Sequence, residues 1–264
     1  MRKISALIIT LVAVVMMTIG VSAQVIDSIE NLDNGTVAVR YESENGKAIK
    51  LMVEKSGERF FYDLDEDSES ILPLQSGEGT YRICVLEQKA DNRYRVALSK
   101  SIEYVAKASN ECFTNPIDII DWNEGDPIYE KALALTDGLE TDNEKIMAVY
   151  SFAINAFDYD YDKINHIDGS YVPDPNAMLE EKKGICYDYS SAFAAMLRIN
   201  GIPTRLVKGY NNDIDVYHAW NQVYNSETGL WMTVDTTFDA YYLDNGVDFS
   251  FEKNSADYAV DQIF

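Results

Sequence analysis

The chain changes its hydrophobic period once, and that change restricts the fold more than any other feature. From about Val25 to Val105 apolar residues recur at every second position. The series runs through Val37, Val39 and Tyr41, then Ile49, Leu51 and Val53, then Phe60, Tyr62 and Leu64, then Tyr81, Ile83 and Val85, then Tyr94, Val96 and Leu98. Turn-forming stretches such as Asn34-Gly35, Ser43-Glu44-Asn45-Gly46 and Ser76-Gly77-Glu78-Gly79 separate the runs. Period two means strands with one buried face. Short alternating strands with frequent turns predict a small all-β sandwich over residues 24–105.

That sandwich is expected to be Ig-like and to serve as an accessory module, because no motif in it carries obvious chemistry. Residues 106–126 are polar and contain Pro116, which reads as a linker. Helical spacing starts after it. Pro127 suits the first turn of a helix that stops at Gly138. Thr141-Asp142-Asn143-Glu144 has capping-box form and opens a second helix carrying Ile146, Val149, Tyr150, Ile154 and Phe157. A loop is expected from Asp158 to about Gly184. The next helix is predicted from Cys186 to Ile199, with Phe193, Met196 and Leu197 as its apolar stripe. Asn200-Gly201 ends it and Pro203 blocks a restart. Three strands follow, in Thr204 to Tyr210 and around His218 and Asp235. Helices first and antiparallel strands afterwards predict an α+β domain over 127–264, helices packed on an antiparallel sheet.

A length of 264 residues with 47% apolar content accommodates both parts. The net charge of −22 repels phosphates and argues against a nucleic acid partner. Arg2 and Lys3, the apolar run Ile4 to Val21, and Val21-Ser22-Ala23 read as a signal peptide over residues 1–23, with Gln24 the first mature residue. A secreted, extracellular or cell-surface protein is therefore expected, touching a membrane only if the leader stays uncleaved. Three cysteines leave one unpaired in such a compartment. Either Cys84 and Cys112 bridge, or all three are free thiols.

The chemistry concentrates in three residues. Cys186 stands where a helix begins, so the positive end of the helix dipole and free amides favour a negatively charged sulfur. Gly184 leaves room for a tight turn and for access to that sulfur. His218 opens the strand-like run His218-Ala219-Trp220-Asn221-Gln222-Val223, and Asp235 lies in Trp231-Met232-Thr233-Val234-Asp235-Thr236. A turn around Asn225 to Gly229 pairs the two runs and brings the Asp235 carboxylate to the His218 ring. Trp220 and Trp231 are expected to form a dry wall near the thiol. A lone helical Cys is commonly inert core, a strand His a surface group, and an Asp near a strand end a turn former. In this order, nucleophile, proton carrier and orienting carboxylate, the three make a thiol nucleophile set. With two His, of which His166 sits in a polar loop, and no Cys-x-x-Cys pair, no metal is expected. No cofactor is expected either.

The blocks Lys183-Gly184-Ile185-Cys186-Tyr187-Asp188-Tyr189, Gly201-Ile202-Pro203-Thr204-Arg205, Gly209-Tyr210, His218-Ala219-Trp220-Asn221 and Trp231-Met232-Thr233-Val234-Asp235 resemble the transglutaminase-like superfamily of papain-type thiol enzymes. Tyr159-Asp160 and the helix ahead of them also resemble it, so the likeness covers roughly Lys145 to Phe238. It implies Cys186 as nucleophile, His218 as general base and acid, Asp235 as orienting carboxylate, and a thioacyl-enzyme intermediate. It also implies an upstream side chain in the oxyanion hole, for which Tyr159 is the candidate. Tyr187, Asp188 and Trp220 are support candidates. The function this implies is an exported thiol hydrolase, a cysteine peptidase or amidase acting on a protein or peptide, including cell-surface or cell-wall peptide. The alternatives are a protein-glutamine transglutaminase and a non-catalytic binding or scaffold protein that keeps the fold.

Overall fold

The architecture follows from a computed structural model that describes residues 27–43, 46–63, 69–90, 93–169 and 171–264. The expected leader, residues 1–23, lies outside them. Seven strands come first: β1 (Ser28–Asn31), β2 (Thr36–Arg40), β3 (Ile49–Lys55), β4 (Glu58–Asp63), β5 (Ser70–Pro73), β6 (Gly79–Ala90) and β7 (Arg93–Tyr104). They form two antiparallel sheets, ordered β1-β2-β5 and β4-β3-β6-β7. Val37, Val39 and Leu72 from the first sheet meet Leu51, Val53, Ile83 and Val85 from the second in one core. The period-two pattern supplies that core up to β6. It breaks in β7, where Val96 is exposed. The cause is a register shift: Val85 faces Leu98 but Leu86 faces Val96. One extra residue turns Tyr94 to Val96 to the opposite phase, until a second shift between Gln88 and Ala90.

The stretch 106–126, read as a linker, carries buried residues among exposed ones. Cys112 and Phe113 are buried in and beside a short 3₁₀ turn, Glu111–Phe113. Ile117, Ile120 and Trp122 enter the core of the second half. Asp118 ties this segment to β5, its Oδ1 accepting the Ile71 amide at 2.6 Å.

The second half contains α1 (Pro127–Thr136), α2 (Asp142–Ala156), β8 (Asp158–Tyr159), α3 (Pro175–Glu181), β9 (Lys183–Gly184), α4 (Cys186–Ile199), β10 (Thr204–Asn211), β11 (Ile214–Asn225), β12 (Leu230–Val234), α5 (Thr236–Asp244) and β13 (Tyr258–Ile263). Thr141 caps α2 as its sequence predicts, trading hydrogen bonds with Glu144. The expected loop from 158 to 184 instead holds α3 and the parallel pair β8–β9. The antiparallel sheet runs β12-β11-β10-β13. Helix α4 is the central element, packed on α1, α2, α3, α5, β10 and β11. Its Ala192 through Leu197 are all buried, as a helix covered on every side requires.

Near the end of α4 the buried Arg198 reaches three backbone carbonyls, those of Thr204 (2.8 Å), Asn115 (2.8 Å) and Phe264 (3.1 Å). Burial pulls its guanidinium down to about 9. No helix among the described residues is long and apolar enough to cross a membrane.

Candidate active site

The short parallel pair β8–β9 delivers the chain to α4. Tyr159 pairs with Gly184, and the Asp160 amide donates to the Gly184 carbonyl at 2.8 Å. Gly184 is required for packing, not for a left-handed turn. A Cβ there would stand 2.6 Å from both Asp188 Cβ and Met178 Sδ. The next residue but one, Cys186, is the first of α4 and is partly exposed. Its amide has no carbonyl one turn back and remains available to an incoming oxygen. Cys84 and Cys112 are free and buried, so the structure carries three free thiols and no bridge.

Asp188 is buried and sets the start of this helix. Its Oδ2 accepts the Ile185 amide at 2.8 Å and pairs with Lys163 Nζ at 3.0 Å. Its Oδ1 accepts the Tyr171 hydroxyl. Ile185 has no side-chain acceptor, so only the carboxylate half of a capping box forms here. Asp188 therefore fixes the backbone just ahead of Cys186.

His218 lies on β11 opposite Gly209 and is buried. Its Nε2 is 2.8 Å from Asp235 Oδ2. Cys186 lies near enough to the same ring to add to its hold on a proton. Burial favours the neutral ring. The charge and hydrogen bond of Asp235, together with Cys186, outweigh it and push the imidazole up to about 10. The structure thus joins His218 to Asp235 and brings the start of α4, with Cys186, into their neighbourhood.

Asp235 differs from the sequence reading in its local structure. It stands just past β12 and caps α5, its Oδ1 accepting the Phe238 amide at 3.2 Å. A strand end followed by a helix cap explains the position: β11 pairs with β12 up to Asn221 and Val234, and the next residue turns its carboxylate to His218. The turn from Asn225 to Gly229 is as expected, closed by the Gly229 amide on the Asn225 carbonyl.

The support candidates separate. Tyr159 is half-buried beside Cys186; burial first, then the sulfur's charge, push its phenol up to about 12. Tyr187 packs under Lys208 Nζ, 3.5 Å from the ring centroid. Trp220 is buried and stacks on His218 with centroids 6.2 Å apart. Trp231 does not join that wall. It pairs with Tyr224, six residues beyond His218, which at strand rise is about 20 Å away. There it packs on Phe113 and carries Arg205 over its face at 3.8 Å.

Two neighbours of the site had no signal in the motif blocks. Phe238, on α5, sets its ring edge-on to His218 at 5.2 Å. Tyr258, on β13, donates its hydroxyl to Asp235 Oδ2 at 3.1 Å. Among the described residues no cluster of three His, Cys, Asp or Glu is placed to hold a metal ion.

Comparison with known proteins bears on the same region. Residues 130–236 match the family model of the Transglutaminase-like superfamily. The uncharacterized protein YebA of Bacillus subtilis (strain 168) is 33% identical over 125 residues, 40% of this chain and 17% of that protein. A protein-glutamine gamma-glutamyltransferase of Pseudomonas aeruginosa is 29% identical over 129 residues, 41% of this chain and 18% of that protein. The chain thus spans less than a fifth of the length of these curated relatives. The crystal structure of the periplasmic domain of TgpA from Pseudomonas aeruginosa is similar at a TM-score of 0.41 and 15% identity, over 82% of this chain and 91% of that one. With its helices, its antiparallel sheet and this family match, the segment 130–236 is a domain of the Transglutaminase-like superfamily.

Proposed function

We propose that this protein is a thiol hydrolase, a cysteine peptidase or amidase that works through a thioacyl-enzyme on Cys186. The observation that carries the reading is the buried His218–Asp235 contact of 2.8 Å, with Cys186 close enough to act on the same ring. A histidine protonated at neutral pH beside a partly exposed sulfur favours a thiolate–imidazolium pair. The sulfur attacks an amide carbonyl carbon, and the carbonyl oxygen becomes an oxyanion. The Cys186 amide, at the first position of α4, is assigned to stabilise it, with Tyr159 as the nearby side chain. The C–N bond breaks as His218 passes its proton to the departing amine. Water then adds to the thioester, giving a proton to His218, and the acid leaves as the sulfur is freed.

The acyl acceptor decides between hydrolysis and transamidation. A primary amine in place of water gives an amide bond and makes the protein a transglutaminase. The substrate in either case is a protein or peptide, with cell-surface or cell-wall peptide the first class to try. The basic start and apolar run of residues 1–23 support an exported protein. The β1–β7 sheets, which precede the 130–236 segment, are assigned an accessory role, with the catalytic half taken as 127–264.

The test is mass spectrometry of glutamine-containing peptides incubated with protein lacking residues 1–23, with and without a primary amine. Cleavage or deamidation that persists when amine is added supports the hydrolase. Amine incorporation that replaces it establishes the transglutaminase. No covalent change in any peptide, with Cys186 intact, favours a binding protein that keeps the fold.

A further inference from the structure

Asp235 is held by three donors, and two of them, Phe238 and Tyr258, come from outside the family segment. His218 Nε2 and the Tyr258 hydroxyl both address Oδ2, at 2.8 and 3.1 Å, while the Phe238 amide addresses Oδ1 at 3.2 Å. A carboxylate oxygen offers two lone pairs, so these two donors fill Oδ2. The Tyr258 ring is itself fixed. It packs on Trp220 at 5.0 Å, and Trp220 stacks on His218. Strand β13 reaches this position because residue 209 has no side chain. A Cβ on Gly209 would stand 2.1 Å from the Ala259 carbonyl oxygen and 3.0 Å from the Trp220 ring. Burial, followed by the Asp235 charge, raises the Tyr258 phenol far above its ordinary value, so the hydroxyl stays a donor at any working pH.

We infer that Tyr258 is a positioning residue, which locks the rotation of the Asp235 carboxylate and shares its charge, so that His218 keeps Nε2 on Asp235. Its consequence for turnover rests on the thiol reading above; the hydrogen-bond relay itself does not. Without the hydroxyl, Oδ2 places its full charge on the imidazolium and the ring holds its proton more tightly. Other titratable groups face this network. They are Cys186 near the ring, Asp239 on α5 with its partners Lys253 and, from α2, Tyr150, and Asp213 and Tyr242. Tyr258→Phe leaves each of them in place and keeps the ring on Trp220.

The chain has two histidines, so imidazole NMR resolves each. His166, exposed and bonded to the Asp162 carbonyl, serves as the internal reference. In Tyr258→Phe the His218 midpoint is expected to move upward by about 0.5 pH unit or more, with its Nε2 proton signal displaced and His166 unchanged. On a substrate found by the peptide assay, kcat is expected to fall about five- to twentyfold with KM within about twofold. An unchanged His218 titration and unchanged kcat overturn the inference. A moved titration in a protein without turnover leaves the relay standing and removes the hydrolase reading instead.

Discussion

Asn221 on β11 donates its side-chain amide to the Ser190 carbonyl on α4 at 3.0 Å and to the Arg205 carbonyl at 3.2 Å. The strand that carries His218 is thereby fastened to the helix that begins at Cys186. The contact is fully buried, so losing it strands a carbonyl without water. Asn221→Ala is expected to lower stability by about 1–3 kcal/mol in urea unfolding. An unchanged midpoint would show that the helix and strand are held by apolar packing alone.

Cys186→Ala is expected to lower kcat at least about a thousandfold while leaving the thermal midpoint within a few degrees. The side chain is partly exposed and fills no core space, so little packing is lost. A large fall in the midpoint would mark the sulfur as structural.

Asp235→Asn keeps an oxygen for the Phe238 amide but offers His218 a neutral partner. The α5 cap persists, so the fold is expected to persist with it. The rate is expected to drop about a hundredfold to ten-thousandfold, mostly in kcat. Equal change confined to KM would contradict an orienting role.

The raised His218 value also links stability to pH. Below the ordinary value of 6.5 the ring is protonated whether the chain is folded or not, and the pair with Asp235 contributes in full. Between 6.5 and about 10 only the folded ring holds its proton, so each rise in pH removes part of that contribution. Above about 10 it is gone. The stability gap between the protein and His218→Gln, followed by urea unfolding, is therefore expected to narrow across this window. A gap that stays constant or widens with pH contradicts the assignment.

Iodoacetamide is expected to label Cys186 ahead of the other two thiols in the folded protein. Cys84 and Cys112 are at most 5% exposed, and burial pushes the Cys112 thiol up to about 11. Peptide mapping after brief labelling reads this directly; simultaneous labelling of all three would mean that β6 and the Glu111–Phe113 turn open readily.

Much of this molecule is legible in its residue order. Local rules place the Thr141 cap, the α4 limits from Cys186 to Ile199 and the hairpin between His218 and Asp235. Each depends on neighbours within a few positions, which is the range over which periodicity and capping operate. What escapes is non-local. Ile117, Ile120 and Trp122 look like scattered apolar residues in a polar stretch, yet α4 and its neighbours give them a core to enter. Trp231 shares a strand face with the site but sits at the wrong end of the sheet. Tyr258 touches Asp235 across 23 residues through a strand with little amphipathic pattern of its own. Val96 turned outward because one bulged residue changed the phase, and no alternation rule marks where a bulge falls.

The grip of Arg198 on Thr204, Asn115 and Phe264 sets a limit on modularity. Excising residues 127–264 would remove the Asn115 carbonyl and leave a buried guanidinium with two acceptors in place of three. The second half thus borrows part of its scaffold from the segment ahead of it, and any graft onto another carrier must bring that segment along.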